Sequence, residues 1–332
     1  MENWRSEKLK IYYDFMSEIK DDELYDRLVS YGMFSEKLPP IFAGDLFLNY
    51  CKNIRKQTFS DDWRGYINYE SMRNTNIPRN IGIPTPMGHE LLCKTLMKHW
   101  TKLTEYFKKK TKGQPRIISR IHIRKMQETK ALFLMNYNNW IDDGTTEPDI
   151  YLGKRYMIHT DISKCYPSIY THAIPWALVG KDVAKNNTGK NKEWYNQIDH
   201  FAQISKNGET HGLLIGPHTS NVLSEIILCA IDEELSKKYD SYIRNIDDYI
   251  CYVNTKEDAD NFIIDLNREL RKYDLLLNHK KTKIYELPIC VVETWIHKIQ
   301  NHMVTFQKFK DYIDYREIQA FIDFIIKLVS EN

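Results

Sequence analysis

Tyr156-Met-Ile-His-Thr-Asp-Ile-Ser-Lys-Cys-Tyr166 and Tyr242-Ile-Arg-Asn-Ile-Asp-Asp-Tyr-Ile-Cys-Tyr252 decide how this chain is read. The first is a short, mostly apolar run that closes on a carboxylate, the pattern of a buried strand delivering Asp161 at its end. The second reads as a hairpin with Asp247 and Asp248 at its tip, where Asp is in any case a favoured turn residue. A carboxylate in a core needs a partner and adjacent carboxylates repel. Bringing Asp161, Asp247 and Asp248 together therefore calls for a divalent cation.

Outward from this pair the elements fall into a regular order. Pro167 sits in the first turn of a short helix, and Gly180 to Lys192 reads as a polar loop. Gly212-Leu-Leu-Ile-Gly-Pro-His-Thr-Ser220 leads into a helix begun by Pro217, whose apolar positions Leu223, Ile226, Ile227, Ala230, Ile231 and Leu235 keep helical spacing. Beyond the hairpin, Thr255 opens a helix with the stripe Ala259, Phe262, Ile263, Leu266 and Leu270. A strand near Lys283 to Leu287 closes the set. Strand, helix, hairpin, helix and strand in that order pack as an antiparallel sheet with both helices on one face, which is an α+β fold.

The flanks are less regular. Trp4 to Lys20 and Leu24 to Tyr31 carry narrow helical stripes, broken by Leu38-Pro-Pro-Ile41, and read as scaffold. Pro78 to Pro86 is extended and Pro-punctuated, and Glu90 to Phe107 keeps one helical period. Lys102, Lys108, Lys109, Lys110, Lys112, Arg116, Arg120, Arg124 and Lys125 then face the single acid Glu105. Such a run is a solvated face; the alternative is a strand over 117–124 that turns its arginines toward phosphates. Near the end, Ile318 to Val329 is amphipathic, with Phe321, Ile322, Ile325 and Ile326 expected inward.

Composition sets the bounds. With 332 residues, 42% hydrophobic and 28% charged, the chain has material for one large core or two to three packed subdomains. A formal net charge of +2 excludes a uniformly basic nucleic-acid coat while leaving room for a local basic surface. Six cysteines without Cys-x-x-Cys spacing read as buried thiols of a reducing compartment. Neither a signal peptide nor an apolar run of about 18 residues is seen, so a cytoplasmic, non-membrane protein is expected. His159, His172 and His211 lack ligand spacing and are not read as zinc ligands.

The residues now carry a resemblance. Asp161 to Tyr166, Gly212 to Ser220, Asn245-Ile-Asp-Asp248 and Leu277-Asn-His-Lys-Lys-Thr282 resemble, in order, four palm motifs of reverse transcriptases. Arg79-Asn-Ile-Gly-Ile-Pro84 resembles the fingers motif of bacterial and group II intron enzymes. Tyr170-Thr-His-Ala-Ile-Pro-Trp176, Glu209-Thr-His-Gly212 and Tyr31 to Phe42 are similar to the bacterial abortive-infection and defence-associated members. Asn245 stands where that family usually has an aromatic, and Ile215 where many members have Gln.

The resemblance implies a right-hand polymerase with an N-terminal helical extension (1–70), fingers (71–154), a palm (155–290) and a short thumb-like tail (291–332). It implies two Mg²⁺ ions, about 4 Å apart, on Asp161 and Asp247, with Asp248 adjacent and the Ile162 carbonyl completing one shell. Tyr166 would lie beneath the incoming sugar and exclude a 2′ hydroxyl, or else serve as core packing. Arg79 and Arg124 would hold the triphosphate, and Gly216 and Ser220 would admit the templating pair. Lys281 would protonate pyrophosphate, or be a plain surface lysine. The implied activity is RNA-directed DNA synthesis from dNTPs in antiviral defence, on an RNA template such as a small noncoding RNA, by a monomer or homo-oligomer. Untemplated or protein-primed DNA synthesis, and a vestigial nucleic-acid-binding scaffold, stay as alternatives.

Overall fold

The computed structural model describes residues 12–54, 59–60, 62, 64–72, 78–114, 118, 123–125, 130–132, 150–187, 192–288, 298–299 and 315–331. The chain divides into two units, Met1–Ile284 and Tyr285–Asn332. In the first, α1 (Tyr12–Ser17), α2 (Asp21–Val29) and α3 (Asp45–Asn53) precede the hairpin of β1 (Tyr66–Ser71) and β2 (Arg79–Pro84). The early segment is tied to the core through polar groups. Trp100 Nε1 donates to the Ile19 carbonyl at 2.8 Å, and His89 Nε2 to that of Leu28 at 3.0 Å.

The expected single helix over Glu90 to Phe107 is two, α4 (Pro86–Lys98) and α5 (Trp100–Thr111). They meet at His99, which leaves helical geometry at φ −111°, ψ 13° and bonds Gln197 at 2.9 Å. The polar loop expected after Gly180 contains a helix, and another follows it. The order is β3 (Tyr156–Asp161), α6 (Cys165–Ser168), α7 (Ala173–Val179), α8 (Lys181–Asn186), α9 (Trp194–Ser205) and α10 (His218–Leu235). Next come β4 (Tyr242–Asn245), β5 (Asp248–Val253), α11 (Lys256–Arg271) and β6 (Lys283–Glu286). The Thr255 side chain accepts from the Asp258 N–H and caps α11 as its sequence predicts.

The main sheet runs β4-β5-β3-β6, with β4 and β3 both antiparallel to β5. Because strand side chains alternate, Ile158 and Thr160, Tyr249, Cys251 and Val253, and Tyr242 and Arg244 share one face, and all are buried. That face meets α10 and α11, so the α+β arrangement is the one expected. The Tyr242 hydroxyl donates to the Asp232 carbonyl at 3.1 Å, and its ring lies 5.9 Å from that of Phe262. The opposite face carries Met157, His159, Asp161, Asp248, Ile250 and Tyr252, most of them half-buried. All the acids on this face lie at one end of the strands.

The second unit contains α12 (Tyr315–Glu331). Its inward side is not the expected one: Leu328 is buried and Phe321, Phe324 and Ile325 are half-buried, whereas Ile322 and Ile326 are 50% and 62% exposed. The apolar stripe is wider than one face, and spacing i, i+3, i+4, i+7 from Phe321 selects the buried half. No helix among the described residues is long and apolar enough to cross a membrane. Among the described residues the cysteines are free, and all but Cys51 are buried.

Candidate active site

The carboxylates come together through strand register. Asp161, the last residue of β3, is the cross-strand partner of Asp248, the first residue of β5, and both project from the open face. The Ile162 N–H donates to the Asp247 carbonyl at 3.1 Å, so the tip of the hairpin is laced to the end of β3. On its other side Ile162 bridges to Leu277, and the Asn278 N–H donates to the Asp161 carbonyl at 2.9 Å. Strand end, hairpin tip and the Leu277–Thr282 segment are thereby fixed against one another through main chain.

The hairpin turn is unusual. Ile246, a β-branched residue, has φ +56°, a conformation that costs such a side chain energy unless its surroundings hold it. Arg244 holds it. The side chain is fully buried, and its Nη1 donates to the Ile246 carbonyl at 2.9 Å. The same guanidinium grips both Glu225 oxygens at 2.9 Å, while its Nε reaches Asp232 at 2.7 Å. Glu225 and Asp232 are two turns apart on α10, so one buried arginine fastens the tip bearing Asp247 to the long helix beneath it. Burial pushes the Asp232 carboxyl up to about 6, against the pull of Arg244. The reading of the sequence missed this residue, although strand alternation with Tyr242 placed it inward.

Electrostatics at the acids favour a cation. Asp161 is 4% exposed and its Oδ1 has no hydrogen-bond partner. Burial, and then the neighbouring Asp248, push the Asp247 carboxyl up to about 6. Burial also raises Asp248. On both carboxyls burial outweighs the pull of the nearby Lys281, a penalty that a bound divalent cation would relieve. Among the described residues, no group of three or more His, Cys, Asp or Glu side chains is gathered into a ligand set. The Lys281 ammonium instead meets Asp161 Oδ2 at 2.5 Å, neutralising the most buried of the three. That contact raises the lysine pKa.

The remaining predicted residues distribute as follows. Tyr166 lies half-buried just after β3, its hydroxyl donating to Asn221 Oδ1 of α10 at 2.9 Å. Arg79 begins β2, paired with Ser71. Gly216 has φ +132°, and a Cβ there would stand 3.1 Å from Ile81 and 3.2 Å from Ser35, so protein packing as well as backbone geometry demands glycine. Ser220 is buried in the first turn of α10. Arg124 is a correction: it is 4% exposed, its guanidinium 5.5 Å from the Phe15 ring centroid. A side chain so covered is not offered to a triphosphate. Neighbours also take up much of the basic run, with Lys110 on Glu233 at 2.5 Å, Lys125 on Glu23 at 3.0 Å and Lys108 4.6 Å from the Tyr13 ring. Arg116 and Arg120 lie outside the described residues.

The family model described as reverse transcriptase (RNA-dependent DNA polymerase) matches residues 107–310, more than half of the chain. No curated protein matches. Among solved structures, the chain is similar to apo telomerase from Candida tropicalis truncated from its C-terminal domain, with 16% identity and a TM-score of 0.47 over 81% of this chain and 56% of that one. Apo telomerase from Candida tropicalis gives 14% and 0.46 over 72% and 47%. Telomerase from Candida albicans in complex with a TWJ fragment of telomeric RNA gives 11% and 0.41 over 73% and 45%. The chain spans about half the length of these structures.

Proposed function

The chain belongs to the reverse transcriptase family, and on that premise we propose that it is an RNA-directed DNA polymerase that extends a 3′ hydroxyl with dNTPs. The observation that carries the proposal is the register of β3 on β5, which sets Asp161 beside Asp248 with Asp247 laced to Ile162. In this reading residues 1–70 are a helical extension, 71–154 the fingers, 155–290 the palm and 291–332 a short thumb.

Asp161 and Asp247, with Asp248 beside them and the Ile162 carbonyl, would hold two Mg²⁺ ions, which lower the pKa of an attacking 3′ hydroxyl and neutralise departing pyrophosphate. The protein's part is placement. Tyr166, pinned by Asn221, sets a ring where a 2′ hydroxyl would clash, which selects deoxynucleotides. Arg79 receives the triphosphate, a task its fork geometry suits. Gly216 and Ser220 shape the backbone toward the templating pair, and Lys281, on a largely exposed stem, donates a proton to pyrophosphate. The resemblance of Tyr170 to Trp176 and Tyr31 to Phe42 to the abortive-infection group supports a finer reading. The enzyme acts in the cytoplasm, in antiviral defence, copying a small noncoding RNA, alone or as a homo-oligomer.

The test is incorporation of labelled dNTPs by purified protein with Mg²⁺, with a primed RNA template, with copurifying RNA and with none. Asp247→Ala is expected to abolish synthesis while its circular dichroism stays that of the parent and its melting temperature is not lowered, since a carboxyl that burial pushes up to about 6 adds no stability above that pH. Wild-type rates in that variant sink the assignment.

A further inference from the structure

Between β3 and α10 the chain builds α7, α8 and α9 around a second feature, a cavity of about 570 Å³. Its wall carries an imidazole set in place by its neighbours. His172 Nδ1 donates to Asp199 Oδ2 at 2.5 Å, and the other Asp199 oxygen accepts from Gln203 Nε2 at 2.8 Å. Gln203 in turn reaches Thr171 Oγ1 at 3.2 Å, and Tyr170 meets the imidazole edge-on at 4.8 Å between ring centroids. A carboxylate that captures Nδ1 fixes the tautomer and aims Nε2. The bond to Asp199 also raises the His172 pKa, against partial burial. Asp199 is 9% exposed and His172 42%, so the carboxylate is hidden and the imidazole is presented.

The rest of the wall is basic. Arg64 and Lys185 line the cavity beside His200, and among its described lining residues Asp199 is the only acid, already engaged by His172. Trp176 supplies a flat surface beside Tyr170, with Lys181 Nζ 4.0 Å and Lys185 Nζ 6.0 Å from its ring centroid. Convergent cations beside aromatic faces recognise an anion joined to a flat ring. The volume lies within the range of about 300–1,000 Å³ typical of small-molecule sites, which suits one nucleotide. None of Asp161, Asp247, Asp248, Tyr166, Arg79 and Lys281 is on this wall.

We propose that this cavity is a second nucleotide site, separate from the aspartates, which takes one 5′-phosphorylated nucleotide with its phosphate at His172 and its base along the Tyr170–Trp176 wall. The ligand is a free mononucleotide or the 5′ end of a single strand, and the two share this chemistry.

The full chain, held in EDTA so that binding at the aspartates is not promoted by metal, is titrated calorimetrically with thymidine 5′-monophosphate and with tetrathymidylate bearing a 5′-phosphate or a 5′-hydroxyl. The phosphorylated strand is expected to bind saturably, and the hydroxyl strand about tenfold more weakly or worse, one charge-assisted phosphate contact being of that size. Lys185→Gln, at an exposed position, and His172→Gln, checked for melting temperature, are each expected to weaken binding about fivefold or more, and Asp247→Asn to leave it alone. Comparable affinity for the mononucleotide assigns a free nucleotide, and binding of the tetramer alone assigns a strand end; both support the site. Equal affinity for the two strands, undiminished binding by Lys185→Gln, or loss of binding in Asp247→Asn overturns it. Because the titration needs no synthesis, its failure and that of the polymerase reading are told apart.

Discussion

Replacing Arg244 with methionine keeps most of the side-chain volume and removes the charge that Glu225 and Asp232 face. Both carboxylates are almost fully covered, so water cannot take the arginine's place. Breaking a buried ion pair from one side costs about 3–5 kcal/mol. Against a total stability of roughly 5–15 kcal/mol for a folded domain, the loss is large but survivable. Urea denaturation followed by circular dichroism measures it. A second signature is specific to this mechanism. Without the guanidinium, the Asp232 carboxyl, already pushed up to about 6 by burial, loses the charge that pulls it down and titrates higher still, against an unfolded value of about 4. The folded protein then holds that proton more tightly, so lowering the pH from 8 to 5 stabilises the variant relative to the parent. Adding Glu225→Met and Asp232→Leu is expected to restore much of the stability without restoring DNA synthesis, because the Ile246 carbonyl still lacks its donor. A loss below about 1 kcal/mol, or a pH profile parallel to the parent's, refutes the reasoning.

Three further outcomes are expected. Tyr166→Ala removes both the ring and its tether to Asn221 and should admit ribonucleotides, read as the ratio of rNTP to dNTP incorporation; unchanged discrimination makes Tyr166 a packing residue. Burial pushes His89 and His218 down to about 4, below the unfolded value of about 6.5, so the unfolded chain takes up protons first. Their contribution is therefore full above pH 6.5 and falls toward pH 4, by about 1.4 kcal/mol per histidine for each pH unit, partly offset below pH 6 by Asp232 and Asp247, whose raised carboxyls take up protons in the folded state. A denaturation midpoint that stays flat from pH 7 to 5.5 contradicts this. Gly216→Ala adds strain at φ +132° and crowds Ile81 and Ser35, so thermal melting should report about 1–3 kcal/mol of destabilisation.

What could be read from the sequence was what is decided locally. The hairpin tip, the end of β3 at Asp161, the Pro start of α10 and the Thr255 cap of α11 each follow from a few neighbouring residues, and each stands where expected. The break at His99 was hidden because Leu96, Trp100 and Leu103 keep one helical period across it, while Gln197, which His99 bonds there, is distant in sequence. Arg124 looked available because it alternates with isoleucines, and only the packing of Phe15 shows where its guanidinium goes. The cavity around His172 was illegible for the same reason, since Asp199 and Gln203 belong to a helix that was not anticipated. Arg244 is the instructive case. Its inward direction was written in the alternation of β4, but its partners could be found only once α10 lay beneath it.

The β1–β2 hairpin and the Gly212–Pro217 loop touch through bare backbone. The Gly82 N–H donates to the Ile215 carbonyl at 2.8 Å, and a Cβ on Gly82 would fall 2.7 Å from Leu214. With Gly216 also seated closely, a Cβ there falling 3.1 Å from Ile81, the two segments are welded where side chains would otherwise leave slack. A hinge cannot operate at a weld. Any swing of the hairpin over an arriving nucleotide must carry the front of α10 with it.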